Sequence, residues 1–265
     1  MRRRSRRGAR LTGRLAGEPP DLSTTVGSLR LPNPVMTASG TAGHADELAP
    51  YFDLGSLGAV VVKSLAAFPW EGNPAPRVHE TAAGMLNAVG LQGPGVEAWL
   101  AEDLPRLVEA GVSRVVVSIW GRSVEEYAAA AAMLADAPPT VVAVEVNLSC
   151  PNLSGKSIFA HDPRATAAAV EAAAACGLPR WAKLSPNTDR LVEVAGAAAD
   201  AGAEAVTLVN TVQGMVVDPV AGRPVLANGS GGLSGRAIHP VAVRAVWEVR
   251  SAHPDLPIVG VGGVS

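Results

Sequence analysis

Cysteine is scarce in this sequence: Cys150 and Cys176 are the only two among 265 residues. Two cysteines so far apart argue against a disulfide framework and fit a reducing cytoplasm. They also exclude an iron–sulfur cluster held by this chain alone, which normally needs about four cysteine ligands. No apolar run reaches the roughly 18 residues of a membrane-spanning helix. We therefore expect a cytoplasmic protein that does not bind a membrane.

The signature motifs of several enzyme classes are also missing. The five histidines have no metal-ligand spacing, so we predict no metal site and interpret them as surface or structural residues. No GxSxG, P-loop or HExxH motif occurs. The glycine-containing turn at residues 39–43 does not match GxGxxG, which disfavours a dinucleotide-binding sheet.

Lysine is rare and its placement is informative. The chain has 19 arginines but three lysines, Lys63, Lys156 and Lys183. Two of them, Lys63 and Lys183, end predicted strands. A compact ammonium suits a single electron-rich atom, such as a flavin carbonyl or ring nitrogen, better than a planar guanidinium does. A single lysine at a strand end is most simply a solvated surface residue. Two lysines whose strands end on the same side of the fold favour a function.

The first 14 residues contain seven arginines and no acidic residue. Such a tail fits nucleic-acid or membrane contact or a targeting signal, or it is a disordered extension or a wrongly assigned start. We favour the extension because no apolar segment follows it, and we expect no nucleic-acid binding. Residues 1–21 are thus predicted to be disordered, and residues 22–265 to form one folded domain.

After residue 30, short β-branched runs alternate with alanine-rich helical stretches, which predicts an α/β fold with a parallel sheet. A hairpin is predicted at 22–31, with Gly27 in its turn. Strands are predicted at 34–38, 59–63, 114–118, 141–147, 181–184, 205–209 and 258–261, and helices at 96–110, 124–135, 163–176, 189–201 and 240–253.

The strand count favours a (β/α)8 TIM barrel, whose sites lie at the carboxyl ends of the strands. Seven strands are predicted before Ser265, so the barrel is expected to be truncated before its eighth βα unit. A segment of more than 30 residues ending at Gly95 is predicted to be a loop. Its stretch 84–95 is too apolar for a disordered linker, which indicates a functional loop.

Polar residues follow several predicted strands and are expected to meet at one mouth. The fourth strand ends in Asn-Leu-Ser-Cys-Pro-Asn at 147–152, the fifth ends in Lys-Leu-Ser-Pro-Asn at 183–187, and the sixth runs into Asn-Thr at 210–211. A loop thiol such as Cys150 is suited to acid–base work near its reference pKa of about 8.5. A buried structural role is the alternative, which we apply to Cys176. The amides of Asn147 and Asn152 suit the edge of an imide-like ring.

Two glycine-rich stretches, 229–235 and 260–263, offer backbone N–H groups without side chains in the way. Barrels often hold a phosphate near their last two strands. Glycines also occur in ordinary turns, but two such stretches near the last strands of the barrel predict a phosphate site.

At these positions the sequence resembles the dihydroorotate dehydrogenase family, and in particular the catalytic subunit of its NAD-linked class 1B, from about Leu22 to Ser265. Four stretches carry the resemblance: 33–41, 84–94, 147–152, and 231–235 followed by Ala237 and Ile238. The form Asn-Ala-Val-Gly-Leu-Gln at 87–92 is similar to the NAD-linked class rather than the fumarate-linked one. Ser118 stands where the family usually has asparagine.

The resemblance implies an FMN-binding TIM barrel that oxidises (S)-dihydroorotate to orotate in the de novo pyrimidine (UMP) pathway. Cys150 would be the general base and FMN the hydride acceptor. The implied substrate residues are Lys63, Asn87, Ala88, Val89, Gly90, Leu91, Asn147, Asn152, Asn210 and Thr211; the implied FMN residues are Ser39, Lys63, Ser64, Ser118, Asn147, Lys183, Val209, Gly235, Gly262 and Gly263.

The resemblance also implies partners. Electrons would pass to NAD through a separate subunit that carries FAD and a 2Fe–2S cluster, and a homodimer of this chain would form the core of a heterotetramer. Two alternatives stay open. One is a flavin barrel of the dihydropyrimidine dehydrogenase kind, whose substrate lacks a carboxylate. The other is a truncated, inactive remnant.

Overall fold

The computed structural model describes residues 20–149 and 158–264. The predicted arginine-rich extension therefore lies almost entirely outside the described residues, as do Cys150 and Asn152. In chain order the strands are β1 (Thr24–Val26), β2 (Leu29–Leu31), β3 (Val60–Val61), β4 (Val78–Thr81), β5 (Gly84–Asn87), β6 (Val115–Ile119), β7 (Val141–Asn147), β8 (Arg180–Lys183), β9 (Ala205–Leu208), β10 (Val212–Gly214), β11 (Val217–Asp218), β12 (Arg223–Pro224), β13 (Gly231–Ser234) and β14 (Ile258–Gly260).

Helices alternate with the central strands. They are α1 (Val96–Ala98), which continues through a π-helical turn (Trp99–Asp103) into α2 (Leu104–Glu109), then α3 (Val124–Ala132), α4 (Pro163–Ala172), α5 (Leu191–Asp200) and α6 (His239–Ala252). The sequence explains the start of α4: the Asp162 side chain accepts a hydrogen bond from the N–H of Arg164, and Pro163 occupies the first turn. None of the helices in the described part of the chain combines the length and apolarity needed to cross a bilayer.

Six parallel strands form the central sheet, in the order β14-β9-β8-β7-β6-β3. Each strand pairs with its predecessor in the chain, apart from the short strands inserted between them. A doubly wound sheet would reverse direction at a switch point, whereas a barrel adds its strands in sequence. The structure therefore confirms the α/β fold, with a sheet that has the strand order of a TIM barrel.

The two faces of this sheet are buried differently. Val115 and Val117 of β6 belong to the cluster packed against the helices, whereas Val116 belongs to a second cluster on the opposite face. Trp181 of β8 also lies in this second cluster, as does Leu31 from the β1–β2 hairpin. The predicted hairpin is thus confirmed, and it packs against the face that forms the inside of the barrel.

The predicted strand at 34–38 is wrong: this segment makes a single parallel bridge, between Met36 and Ala59. Its neighbour Thr37 explains the interruption. The Thr37 hydroxyl donates to the carbonyl of Val61 at 3.1 Å and accepts from the N–H of Val61 at 2.8 Å. A side chain thus takes the positions that a backbone ladder would fill.

The prediction of a long loop up to Gly95 is also wrong. Strands β4 and β5 form an antiparallel hairpin there, and β5 pairs with β13, which pairs with β10. We call this four-stranded sheet the roof. Its strands are rich in glycine and polar residues, and β5 and β13 lie far apart in sequence. A local pattern of alternating apolar residues was therefore not available to predict it.

Candidate active site

Asn147, the last residue of β7, is the centre of a polar cluster at the carboxyl ends of the parallel strands. Its side-chain N–H donates to the hydroxyl of Ser64 at 3.0 Å, and that hydroxyl lies 2.9 Å from the hydroxyl of Ser118. Its side-chain oxygen accepts from Asn210 at 3.2 Å and from the N–H of Ser149 at 3.3 Å. The structure thus brings together four of the residues predicted from the sequence.

The backbone of Asn147 is fixed from the helix side. The hydroxyl of Tyr127, on α3, donates to the Asn147 carbonyl at 2.6 Å. Tyr127 is fully buried, and Asn147 is 6 % exposed. A buried amide whose backbone and side chain are both hydrogen-bonded keeps one orientation.

Lys183 ends β8, directly beside Asn147 in the sheet register. Its ammonium donates to the hydroxyl of Ser39 at 2.8 Å and lies 3.7 Å from a carboxylate oxygen of Glu145. Lys183 and Glu145 are both almost completely buried. Ser39 and Lys183, both predicted as FMN residues, are therefore in contact with each other. The carboxylate of Glu145 beside them was not identified from the sequence.

Lys63 lies just past β3 and is half-buried, with its N–H donating to the carbonyl of Gly43 at 2.9 Å. Its neighbour His44 was missed as a site residue. Burial, and then the positive charge of Lys63, lower the pKa of His44, with a smaller opposing effect of Glu47. His44 follows the 39–43 turn directly, and this position was the signal that could have drawn attention to it.

Under the roof lies a cavity of about 180 Å³. Of the predicted substrate residues, Ala88 and Thr211 line it. Asn87 lies in the roof itself and donates from its side chain to the carbonyl of Gly232 at 3.2 Å. The other lining residues are Asn73, Ser149, Ile158, Ser185, Asn187, Gln213, Asn228, Ser230, Gly231 and Gly232. The last three belong to the 229–235 stretch that was predicted to bind phosphate, and they line this cavity instead.

Asn187 organises the wall of this cavity. Its side-chain N–H donates to the carbonyl of Thr211 at 2.9 Å, and its side-chain oxygen accepts from the N–H of Gln213 at 2.9 Å. Asn187 follows the end of β8 closely in the sequence, as Asn210 follows β9. Its position after a strand predicted Asn187 at the mouth, as it did Asn210.

The other predicted residues of the 87–91 stretch form a turn beside the cavity. The carbonyl of Val89 accepts from the N–H of Asn73 at 3.0 Å. Gly90 and Leu91 both have positive φ, at 73° and 64°. The carbonyl of Gly90 accepts from the indole of Trp70 at 3.0 Å. A non-glycine residue in the left-handed region indicates a tightly specified backbone.

The glycines predicted to hold phosphate converge before α6. Gly235, Gly262 and Gly263 have φ of 90°, 127° and 68°. A Cβ on Gly263 would lie 2.7 Å from the carbonyl oxygen of Gly235, which leaves no room for a side chain. Val209, another predicted flavin residue, donates its N–H to the carbonyl of Val261 at 2.9 Å. We call these three glycines the glycine cradle. They carry no side chains of their own, pack against Ile238, His239 and Ala242, and lie just before α6. A helix N-terminus is a favourable place for an anion.

Two predicted residues, Cys150 and Asn152, lie outside the described residues, whereas Ser149 lines the cavity. Across residues 20–149 and 158–264, no three His, Cys, Asp or Glu side chains are grouped in a way that would hold a metal ion. The parallel sheet, with polar side chains gathered at the carboxyl ends of its strands, is that of an α/β-barrel enzyme.

Comparison with known proteins identifies the family. The family model for dihydroorotate dehydrogenase matches residues 21–265. A protein from Desulforudis audaxviator (strain MP104C), named dihydroorotate dehydrogenase B (NAD(+)), catalytic subunit, is 51% identical over 244 residues, covering 91% of this chain and 78% of that protein.

Similar proteins with the same name occur in Geotalea uraniireducens (strain Rf4) and Pelobacter propionicus (strain DSM 2379 / NBRC 103807 / OttBd1). Each is 47% identical, over 247 and 251 residues, covering 92% and 93% of this chain and 80% and 81% of those proteins. The chain belongs to the dihydroorotate dehydrogenase family. The resemblance to its NAD-linked class is confirmed.

Proposed function

We propose that this chain catalyses the FMN-dependent oxidation of (S)-dihydroorotate to orotate in pyrimidine biosynthesis, as the catalytic subunit of an NAD-linked enzyme. The observation that carries the proposal is the hydrogen-bonded cluster of Asn147, Asn210 and Ser64 at the barrel mouth, next to the cavity under the roof. The relatives that bear this name match more than nine-tenths of the chain.

The substrate is a cyclic imide with a carboxylate, and residues at the barrel mouth offer matching groups. Side-chain amides both donate and accept, so Asn87, Asn147, Asn152 and Asn210 suit the ring edge. Lys63 and Thr211 supply a positive charge and a hydroxyl for the carboxylate. Ala88 lines the cavity and the turn of 89–91 lies beside it, where the turn would limit the access of water to the reacting carbons.

FMN fits the remaining features of the mouth, within a domain formed by residues 22–265. The cradle of Gly235, Gly262 and Gly263 suits its phosphate, because the three residues carry no side chains of their own and lie just before α6. The ammonium of Lys183 suits the pyrimidine edge of the ring system, where negative charge develops on reduction. Ser39, Ser64, Ser118 and Val209 line the space between. When bound, FMN supplies the acceptor for the hydride that leaves C6 of the substrate.

Cys150 is the general base of this proposal and removes the proton from C5 of dihydroorotate. The preceding residue, Ser149, donates its N–H to Asn147 and lines the cavity. The chain therefore reaches the proposed substrate site at the residue before the thiol. The amides around the cavity hold the ring so that C5 and C6 face the base and the acceptor.

The partner in this proposal is a separate subunit that carries FAD and a 2Fe–2S cluster and delivers electrons to NAD. The relatives' name, catalytic subunit, supports a divided enzyme. The scarcity of cysteine in this chain agrees with a cluster held elsewhere. Two copies of this chain form the core of a heterotetramer in the cytoplasm.

The purified chain, loaded with FMN under anaerobic conditions, tests the proposal. Flavin absorbance is expected to bleach on addition of dihydroorotate and to remain on addition of dihydrouracil, which lacks the carboxylate. Bleaching by dihydrouracil alone would instead assign a dihydropyrimidine dehydrogenase type of reaction. Bound flavin that neither compound reduces would contradict both activities and favour an inactive remnant.

A further inference from the structure

A carboxylate and an ammonium face each other inside the barrel. Glu145 of β7 and Lys183 of β8 have side chains that are 3 % and 5 % exposed, and their charged atoms lie 3.7 Å apart. Lys183 is level with Asn147 in the sheet register, and Glu145 lies two residues earlier on β7, level with Trp181 of the inner cluster. Burying two charges has a large desolvation penalty, so their presence in the core calls for an explanation.

Stability alone does not explain this pair. The distance exceeds that of a hydrogen bond, and among the described residues the Glu145 oxygen concerned has no hydrogen-bond partner. Well-packed apolar residues in place of such a pair are often neutral or stabilising. We therefore look for the role of the Glu145 carboxylate in its effect on the position of Lys183, and not in a contribution of the ion pair to the stability of the fold.

Lys183 is held from two sides. Its ammonium donates to Ser39 at 2.8 Å, and the Glu145 carboxylate attracts it from within the barrel. An ammonium has three N–H donors. With one on Ser39 and one directed toward Glu145, the third is left for a group at the mouth. A lysine on a flexible four-carbon stem needs such anchors to present its charge at one point.

We propose that Glu145 is a positioning residue that fixes the ammonium of Lys183 against the pyrimidine edge of the flavin. The inference rests on the proposed function, because it takes FMN as the occupant of the mouth. Glu145 itself does not touch the flavin or the substrate. It acts through Lys183, so its effect on the flavin requires that lysine.

The test compares Glu145→Gln, Lys183→Met and the double variant, each loaded with FMN. The readout is the midpoint potential of the bound flavin, measured by anaerobic dye equilibration. Lys183→Met removes the positive charge that favours the reduced flavin. Glu145→Gln is expected to lower the potential by about 30 mV, which corresponds to about tenfold for a two-electron couple. The double variant is expected to match Lys183→Met alone.

Thr207→Val is the matched control. Thr207 is buried, lies opposite Lys183 in the register of β8 and β9, and has a hydroxyl with no partner among the described residues. The substitution alters the polarity of the same interior layer without altering charge. We expect the flavin potential to be unchanged and only thermal stability to shift. A flavin potential as low in Thr207→Val as in Glu145→Gln would show that the polarity of this interior layer, and not the Glu145 carboxylate, sets the potential.

An unchanged or raised potential in Glu145→Gln, or additive effects in the double variant, would overturn the inference while leaving the proposed function intact. A wild-type chain that binds no FMN would overturn both. If Glu145→Gln does not fold, Glu145→Asp replaces it. That change keeps the charge but withdraws it from Lys183, and a smaller decrease in potential is expected. No decrease would again contradict the positioning role.

Discussion

The side-chain amide of Asn210 donates a 3.2 Å hydrogen bond to the amide oxygen of Asn147, which joins the loop after β9 to the end of β7. The Asn147 side chain can therefore present only its N–H to Ser64, at 3.0 Å. Two strand ends that are 63 residues apart in the chain thus fix each other's polar groups. The substrate-binding proposal depends on this orientation.

Replacing Asn210 tests the role of the pair. Asn210→Ala removes one amide and leaves the Asn147 oxygen without this donor, so we expect kcat/KM for dihydroorotate to fall about 10- to 100-fold. Steady-state kinetics with the loaded enzyme measure it. Asn33→Ala is the control, because Asn33 bonds to the carbonyl of Ser56, near the amino end of β3. An equal loss in both variants would contradict a specific role.

Replacing the proposed base separates binding from chemistry. Cys150→Ala is expected to keep FMN bound but to slow flavin reduction by dihydroorotate by about 10²- to 10⁴-fold, the usual effect of losing general-base catalysis. Stopped-flow absorbance measures the rate. The other cysteine provides the control: Cys176 is buried between the sheet and helices, so Cys176→Ala should affect stability only. Normal reduction by Cys150→Ala would show that another group is the base.

The glycine cradle predicts selectivity for phosphate. Gly263→Ala places a Cβ against the carbonyl of Gly235 and strains a backbone with φ of 68°, so it should weaken FMN binding by about tenfold or more while affecting riboflavin, which lacks the phosphate, far less. Fluorescence titration of the flavin-free protein gives both affinities. Gly222→Ala, with φ of 63° in open space, has the same strain without the contact. Similar losses for the two ligands would place the phosphate elsewhere.

The chain contains two tyrosines, and they make a matched pair for stability. Tyr127→Phe removes a buried hydroxyl that donates to the Asn147 carbonyl at 2.6 Å, and should lower the free energy of unfolding by about 1–3 kcal/mol. Tyr51 is 81% exposed, and Tyr51→Phe should have no measurable effect. Urea unfolding compares them. Equal stabilities of the two variants would mean that the buried hydrogen bond contributes nothing net.

Acid sensitivity follows from His44. Burial, then Lys63, lower the pKa of His44 below its ordinary 6.5 in the folded chain. The unfolded chain therefore binds this proton more readily, and stability falls as the pH drops below about 6.5 toward the folded value. His161, whose pKa burial also lowers, contributes in the same direction.

Urea unfolding between about pH 5 and pH 7.5 measures the slope of stability against pH. His44→Gln should flatten it in the acidic part, and His44→Gln with His161→Gln should flatten it further. Above the ordinary histidine pKa the variants should have the same pH dependence as the parent protein. A slope that is steeper in the variants would contradict the direction of the shift.

Much of the fold was predictable because each parallel strand is a short, continuous apolar run in the sequence. The predicted strand at 141–147 coincides with β7, since a β-branched run buried on both faces is readable without its neighbours. The Thr37 segment was not predictable, because its hydroxyl competes with the ladder of β3 only once both are in place. The roof was missed because β5 and β13 are strands only when they pair with each other, and neither has a strand pattern in its own sequence.

The site was partly predictable for a similar reason. Asn147, Lys183 and Asn210 lie at or just past strand ends, so chain position alone identified them. Glu145 lies within a strand, and only the three-dimensional register shows that it points toward Lys183. His44 follows the 39–43 turn, but the burial and the nearby charge of Lys63 that lower its pKa are visible only in the folded chain.

The roof has a consequence for how the chain matures during synthesis. Asn87 pairs with Gly232, 145 positions downstream, whereas β6, β7, β8 and β9 pair in the order in which they follow one another in the chain. A nascent chain can assemble β6 through β9 as each emerges from the ribosome, while β5 waits for β13 to be translated. Until then the β5 edge of the hairpin is unpaired and the cavity beneath it is open, so a chaperone that protects this edge would act within that interval.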